Sequence, residues 1–529
     1  MKCPKCGNSV AQNARFCGVC GTAIPTELEQ NSVTNVNTAS RKPLPTKKLM
    51  LFGGVAAVAV VAIVFLANVL KPSNYVLSEG AAFFVQQNED GTVITHTGGS
   101  TATYEGAYAS RFNGSLNPGN GSVAITNSAD EPDDLVTTFY YISEDGIKAF
   151  ADAEGGGGVH GVVSADGNAV VFASGIQYEY ASGREEGELR IFDGDKAQTI
   201  SSEFYPSGNF CVSPDGKTVV YTADYDGEEY TTYIWNNGKS SELGENLIPI
   251  AVSNGGKLIY FGDNEKLYVQ RGDNKTRLTS DEDINIAYFN KDNSEILFGT
   301  YDKTYLCVNG DERFSLDGSL NSLLLPTGVN VAYSASYQIV NANIGSFENV
   351  FYTTDSGVYR ITEEHESERA ARANDAAMLA DDGETIFYLN SGAVYSINGF
   401  DTSAQAKRIV DDSVSYFDIS GNGNTIHYLT DEGELYYQKG EAEPKLIDYD
   451  LHSSSNQFAV HDKSNTVFYI NDGELFSSKS GEKASIVSAV DDDNLTIVAG
   501  SILISVYDEN YEQAYWSADG TTFKPVDTQ

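Results

Sequence analysis

Residues 212–243, VSPDGKTVVYTADYDGEEYTTYIWNNGKSSEL, alternate short apolar runs with turn residues and show no helical period. In Ser213-Pro214-Asp215-Gly216 the proline presets φ and the glycine admits a positive one, so the chain reverses there. KTVVYTA then carries the β-branched and aromatic residues of a strand, and DYDG breaks it. TTYIW reads as a second strand, closed by Asn237-Gly238, a strong short hairpin signal.

The unit recurs. VSNGGKLIYFGDNEKLYVQRGDNKTRLTS starts at Val252, LADDGETIFYLNSGAVYSINGFDTSAQAKRIV at Leu379, ISGNGNTIHYLTDEGELYYQKGEAEPKLI at Ile419 and VHDKSNTVFYINDGELFSSKSGEKASIV at Val460. Val212 to Val252 is 40 residues, as is Leu379 to Ile419. A period near 40 with about four strands per unit predicts an all-β fold, a large β-propeller whose small sheets bury their faces against one another. About ten aromatic-bearing hairpins run from Phe139 to Ala514, whereas common rings have four to eight blades. The expectation is one ring of about eight blades over 75–529, with seven to ten open. VSPDGKTVVY is similar to the inner turn and second strand of TolB-like propellers, and the whole array resembles TolB-like and WD-type repeats. That resemblance implies a fold and no particular activity.

Outward from the repeats, LMLFGGVAAVAVVAIVFLANVL, Leu49 to Leu70, is 22 residues without a charge. As a helix it would be about 33 Å long, enough for a bilayer core of about 30 Å. Residues 1–48 hold seven of the 34 Lys and Arg and two of the 74 Asp and Glu, a balance of +5 that becomes −45 beyond. With RKPLPTKK on the N-terminal flank, the positive-inside rule predicts a single-pass anchor in the cell membrane, N-terminus cytoplasmic and propeller extracytoplasmic. The polar stretch 26–48, containing Pro43 and Pro45, is expected to be a flexible basic linker.

Before the linker, Cys3, Cys6, Cys17 and Cys20 form two CxxC pairs. Two such turns supply the tetrahedral four-sulfur shell of one structural zinc ion, and no open position remains for a substrate. A module over 1–25 is too small to bury a useful core, so the metal must supply its folding free energy. MKCPKCG and FCGVCG resemble the short N-terminal zinc ribbons of many bacterial proteins, and that resemblance implies a small interaction module.

The remaining chemistry is sparse. The chain has no GxSxG elbow and no HExxH pair, and His96, His160, His365, His427, His452 and His461 are scattered. DYDG at Asp224 and DDD at Asp491 group hard oxygen ligands that could take calcium, but neither has the spacing of a calcium loop and blade-edge turns need no ion. Cys211 and Cys307 lie in apolar strands at different repeat positions and are expected to be buried free thiols. Thr362–Leu379 is Ala- and Glu-rich and is expected to break the period as a short helical insertion that could carry binding. A net charge of −40 argues against nucleic acid and for a cationic or neutral partner. The function expected is non-enzymatic: an envelope sensor or assembly factor with protein partners on both sides of a membrane. A carbohydrate-active or other hydrolytic enzyme using paired carboxylates is the first alternative, and a purely structural scaffold the second.

Overall fold

The computed structural model describes residues 161–488 apart from short stretches at 180–183, 207–208, 264–265, 280–283, 311, 327–331, 334–338, 374–375, 402, 412, 452–457 and 462–464. It also describes strands between Phe83 and Glu154 and four two-residue strands between Thr496 and Pro525. The chain divides into two units, Met1–Pro72 and Ser73–Gln529, and everything described belongs to the second. The four ribbon cysteines, the linker, Leu49–Leu70, His160, His452 and Asp491–Asp493 therefore lie outside the described residues. Among the described residues no helix is long and apolar enough to cross a membrane.

Among the described residues nine four-stranded antiparallel units follow one another, one more than the eight favoured by the repeat count. They cover 108–154, 161–204, 210–245, 248–277, 286–316, 322–371, 377–410, 414–448 and 458–488, called blades 1 to 9 below. The last strand of blade 2 also touches the second strand of blade 3, at Phe204 and Ala223. First strands of consecutive blades lie beside each other, as in the pairs 2 and 3, 3 and 4, 6 and 7, and 8 and 9. This serial face-to-face packing of small meanders is the blade arrangement of a β-propeller.

The SPDG-type turns join first and second strands and link the blades. Within the turn of blade 3, Ser213 Oγ donates to Asp215 Oδ1 at 2.7 Å and accepts the Thr218 N–H at 3.0 Å. Between blades, the Asp166 N–H donates to Pro214 O at 3.1 Å, the Asp215 N–H to Asn254 Oδ1 at 2.9 Å, and the Asp381 N–H to Gly421 O at 2.6 Å. Gly216 has φ +71, and a Cβ there would meet Ala169 Cβ of blade 2 at 2.5 Å. Glycine is needed both for the turn and for the approach of its neighbour.

The core is a series of interfaces. Tyr260 and Val269 of blade 4 pack on Phe289, Ile296 and Phe298 of blade 5, and Phe387 and Leu389 of blade 7 on Phe417 and Tyr428 of blade 8. Alternate strand residues point to opposite faces, so each blade needs apolar residues on both. This explains runs such as Thr218–Ala223, buried at all six positions.

The expected helical insertion is not there. Thr362–Glu366 is a turn, Ser367–Ala371 is the fourth strand of blade 6, and Ala377–Leu379 is the first strand of blade 7. Pairing with Val358–Ile361 outweighs the helix propensity of the alanines. The irregular segment is instead 325–350, between the first and second strands of blade 6. There Ile339–Asn341 pairs in parallel with the first strand of blade 5. Asn341 Nδ2 donates to Asn290 O at 3.0 Å and Asn293 Oδ1 at 2.9 Å, while Asn293 Nδ2 reaches Val252 O of blade 4 at 3.0 Å.

Candidate functional site

Each of blades 3 to 9 carries one aromatic ring on its second strand stacked on one on its third. The pairs are Tyr221–Tyr233, Phe261–Tyr268, Phe298–Tyr305, Tyr352–Tyr359, Tyr388–Tyr395, Tyr428–Tyr436 and Tyr469–Phe476, with centroids 5.2 to 5.7 Å apart. They are directly opposed cross-strand residues, the positions at which aromatic pairs stabilise a sheet.

In five of these seven blades a cation from the fourth strand covers the pair. Lys275 Nζ lies 4.4 Å from the Tyr268 centroid, Arg313 4.9 Å from Tyr305, Arg369 5.5 Å from Tyr359, Arg408 6.0 Å from Tyr395 and Lys483 3.6 Å from Phe476. Such contacts are attractive because the ring face is electron-rich. Lysine and arginine on a fourth strand also guard the blade's open edge against pairing with another chain.

Blade 3 departs from this rule. Glu242 stands opposite Tyr233, where Arg277, Arg369 and Arg408 stand opposite Tyr268, Tyr359 and Tyr395. The same β-bulge precedes the position in blades 3, 6 and 7, so the residues are equivalent. Two residues earlier on the strand, Ser240 Oγ meets Tyr221 Oη at 2.9 Å. Tyr233 Oη donates to Asp224 Oδ2 at 2.5 Å, and this bond to a carboxylate, with burial second, pushes the phenol up to about 12.

Asp224 opens a seven-residue connection, 224–230, where blades 7 and 9 need two-residue turns at Ser391-Gly392 and Asp472-Gly473. Its sequence, DYDGEEY, brings four carboxylates and no cation. Tyr225 stacks on Tyr205 at 4.3 Å and 14°, and Tyr205 lies 5.4 Å from Tyr230. Asp226 Oδ1 accepts the Glu228 and Glu229 N–H groups, each at 2.9 Å, and Tyr230 exchanges hydrogen bonds with Asn246. The connection is thus a built surface of half-buried tyrosines and exposed carboxylates. Asp224 and Asp226, weighed in the sequence as candidate calcium donors and disfavoured for want of a calcium-loop spacing, accept these bonds, and no cluster of three or more metal-ligating side chains occurs among the described residues.

A second polar group is buried between blades 8 and 9. His427 and Asp418 oppose each other across adjacent strands, at 0% and 9% exposure. Asp418 Oδ2 accepts the Val460 N–H of blade 9 at 2.8 Å, and Oδ1 accepts the Ile419 N–H at 2.8 Å. Burial pushes the Asp418 carboxyl up to about 6 despite those bonds, and pushes the imidazole down to about 3. Neither ring nitrogen of His427 has a hydrogen-bond partner. His365 lies against Phe314 at 4.4 Å, with Glu348 3.7 Å from its Nε2. Cys211 and Cys307 are buried and outside any disulfide, as expected, and burial pushes the Cys211 thiol up to about 12. Repeat strands do not bring these groups together, and neither the Glu242 substitution nor the Asp418–His427 pairing is visible until strands are aligned across the sheet.

Residues 2–24 match the zinc-ribbon domain family, so the N-terminus is a zinc ribbon. No curated protein matches the chain. Among solved structures, TolB from Acinetobacter baumannii is similar at 14% identity over 68% of this chain and 77% of its own, with TM-score 0.24. The β-propeller domain of the Trilobed protease from Pyrococcus furiosus is similar at 14% identity, 65% and 99% coverage and TM-score 0.28. A eukaryotic initiation factor is similar at 10% identity, 71% and 97% coverage and TM-score 0.37. The fold assignment rests on the blades themselves.

Proposed function

We propose that this chain is a single-pass membrane protein whose propeller lies outside the cell membrane, binds a protein partner and turns nothing over. Cys3, Cys6, Cys17 and Cys20 would hold one structural zinc ion in a cytoplasmic ribbon that contacts a second partner. Four thiolates suit zinc and leave no coordination position for a substrate. Leu49–Leu70 would be the span, supported by its 22 uncharged residues and the change of charge balance across it.

The observation that carries the binding reading is the 224–230 connection. It is longer than a blade requires, is braced by its own hydrogen bonds, and presents stacked tyrosines among carboxylates. Connections on a rigid scaffold are where binding residues concentrate. A hydrolytic reading would need two carboxyl groups about 5–9.5 Å apart, and the first strands of the nine described blades hold one carboxylate, Asp418.

Protease added to wall-stripped cells should digest the propeller and spare the ribbon, and digestion of the ribbon first would invert the topology. Photocrosslinking from position 225 in intact cells should capture a discrete partner. Turnover of a glycan or peptide by the purified protein, lost on Asp418→Asn, would replace binding with catalysis.

A further inference from the structure

We propose that Tyr233 of blade 3, stacked on the buried Tyr221, is a receptor for a cationic side chain, arginine or lysine, on a basic peptide segment of the partner. The proposal rests on the binding reading above and names the chemistry of its site. The sister blades show what occupies such a pair. Lys275, Arg313, Arg369, Arg408 and Lys483 each lie over the aromatic rings of their own blade. In blade 3 the two equivalent fourth-strand positions are Ser240 and Glu242, so neither brings a cation over the ring, and the one lysine of that strand, Lys239, stands opposite Asn236 at its start.

Losing the cation does not require gaining an anion, yet carboxylates stand at both ends of the Tyr233 ring. Glu242 is its cross-strand neighbour, and Asp224 accepts its hydroxyl proton at 2.5 Å. Tyr233 itself is only partly buried. A guanidinium or ammonium group over the ring would meet the electron-rich face and two carboxylates together, the combination that favours a cation over a neutral group. The carboxylates of 224–230 extend the same charge along the edge of the blade, which fits a segment with more than one basic residue. In blade 8 Leu446 stands opposite Tyr436, so its pair has no second carboxylate in that place.

The test titrates the full-length protein in detergent micelles, by calorimetry, with a Gly-Arg-Gly-Arg-Gly peptide and with its citrulline counterpart, which keeps the shape and loses the charge. The arginine peptide should bind at least about tenfold more tightly. Glu242→Arg supplies the cation found in blades 6 and 7, so it should abolish binding without lowering the melting temperature, while Tyr233→Leu should weaken binding about tenfold. Equal affinity for the two peptides, or unchanged affinity in Glu242→Arg, overturns the proposal. If Glu242→Arg still captures the cellular partner from position 225, the binding reading stands and this site is refuted as its contact. A wild-type protein that captures nothing but binds the arginine peptide refutes that reading alone.

Discussion

The two faces of blade 8 are built from the same strands and differ in what they bury. Toward blade 7 it presents Phe417, Ile419, Ile426 and Tyr428, all 3% exposed or less, against Phe387, Leu389 and Val394. Toward blade 9 it presents Leu429, Leu435 and Tyr437, but also Asp418 and His427. The first face is held by apolar burial and dispersion, which do not depend on pH. The second holds a carboxylate that bridges to Val460 N and an imidazole with no partner. Leaving a buried polar atom unpaired costs about 1–3 kcal/mol, so the two interfaces should respond differently to substitution and to acid.

Phe417→Ala should produce the largest effect. It opens a cavity on the apolar face and should destabilise the propeller by about 3–5 kcal/mol, read as a lower midpoint in urea unfolding. A loss below about 1 kcal/mol would mean that this face is no better packed than the other.

The pH dependence should divide between the polar pair. The folded pKa of His427, about 3, lies below its ordinary 6.5, so the unfolded chain binds the extra proton between those values. Its contribution is complete above pH 6.5 and is lost as pH falls toward 3, a loss on the order of 5 kcal/mol. Asp418 has the opposite sign. Its folded pKa, about 6, lies above 3.8, so the folded chain binds the extra proton and gains on the order of 3 kcal/mol as pH falls through that window. The two partly offset in the native protein. Asp418→Asn should therefore steepen the loss of stability between pH 6.5 and 4, and His427→Leu should reverse it. Parallel pH profiles for the two variants would show that the residues do not titrate in this interface.

At neutral pH His427→Leu should be a smaller change, raising stability by about 1–3 kcal/mol because an apolar side chain leaves no unpaired nitrogen. A fall would point to a water or partner group satisfying the ring. The smallest effect belongs to the rim of the apolar face, where Leu446, 48% exposed, stands opposite Tyr436. Leu446→Arg would copy the cation of blade 7 and should add about 0.5–1 kcal/mol, detectable as a salt-sensitive rise in melting temperature.

Much of this architecture was legible in the residues. Asp215-Gly216 and Asn237-Gly238 mark turns because glycine tolerates positive φ, here +71 and +86. Runs such as TVVYTA declare strands buried on both faces, and the spacing of 40 from Val212 to Val252 places equivalent strand ends. Thr362–Leu379 was misread because alanine and glutamate favour a helix locally, whereas the strand at Val358–Ile361 offers backbone partners from outside the segment. Nothing local marks the 325–350 excursion, because what distinguishes it is the parallel pairing of Ile339–Asn341 with the first strand of blade 5, a contact between distant parts of the chain.

The sequence by itself determined the repeat, the all-β class, the zinc-ribbon cysteines and the separation of a basic N-terminal segment from an acidic remainder. These follow from local conformational preference, from spacing and from the solvation of charge, all of which act along the chain. Tertiary structure alone decided that Glu242 takes the place of an arginine and that Asp418 meets His427. Such neighbours are set by cross-strand register, and a single β-bulge moves every later side chain to a new partner.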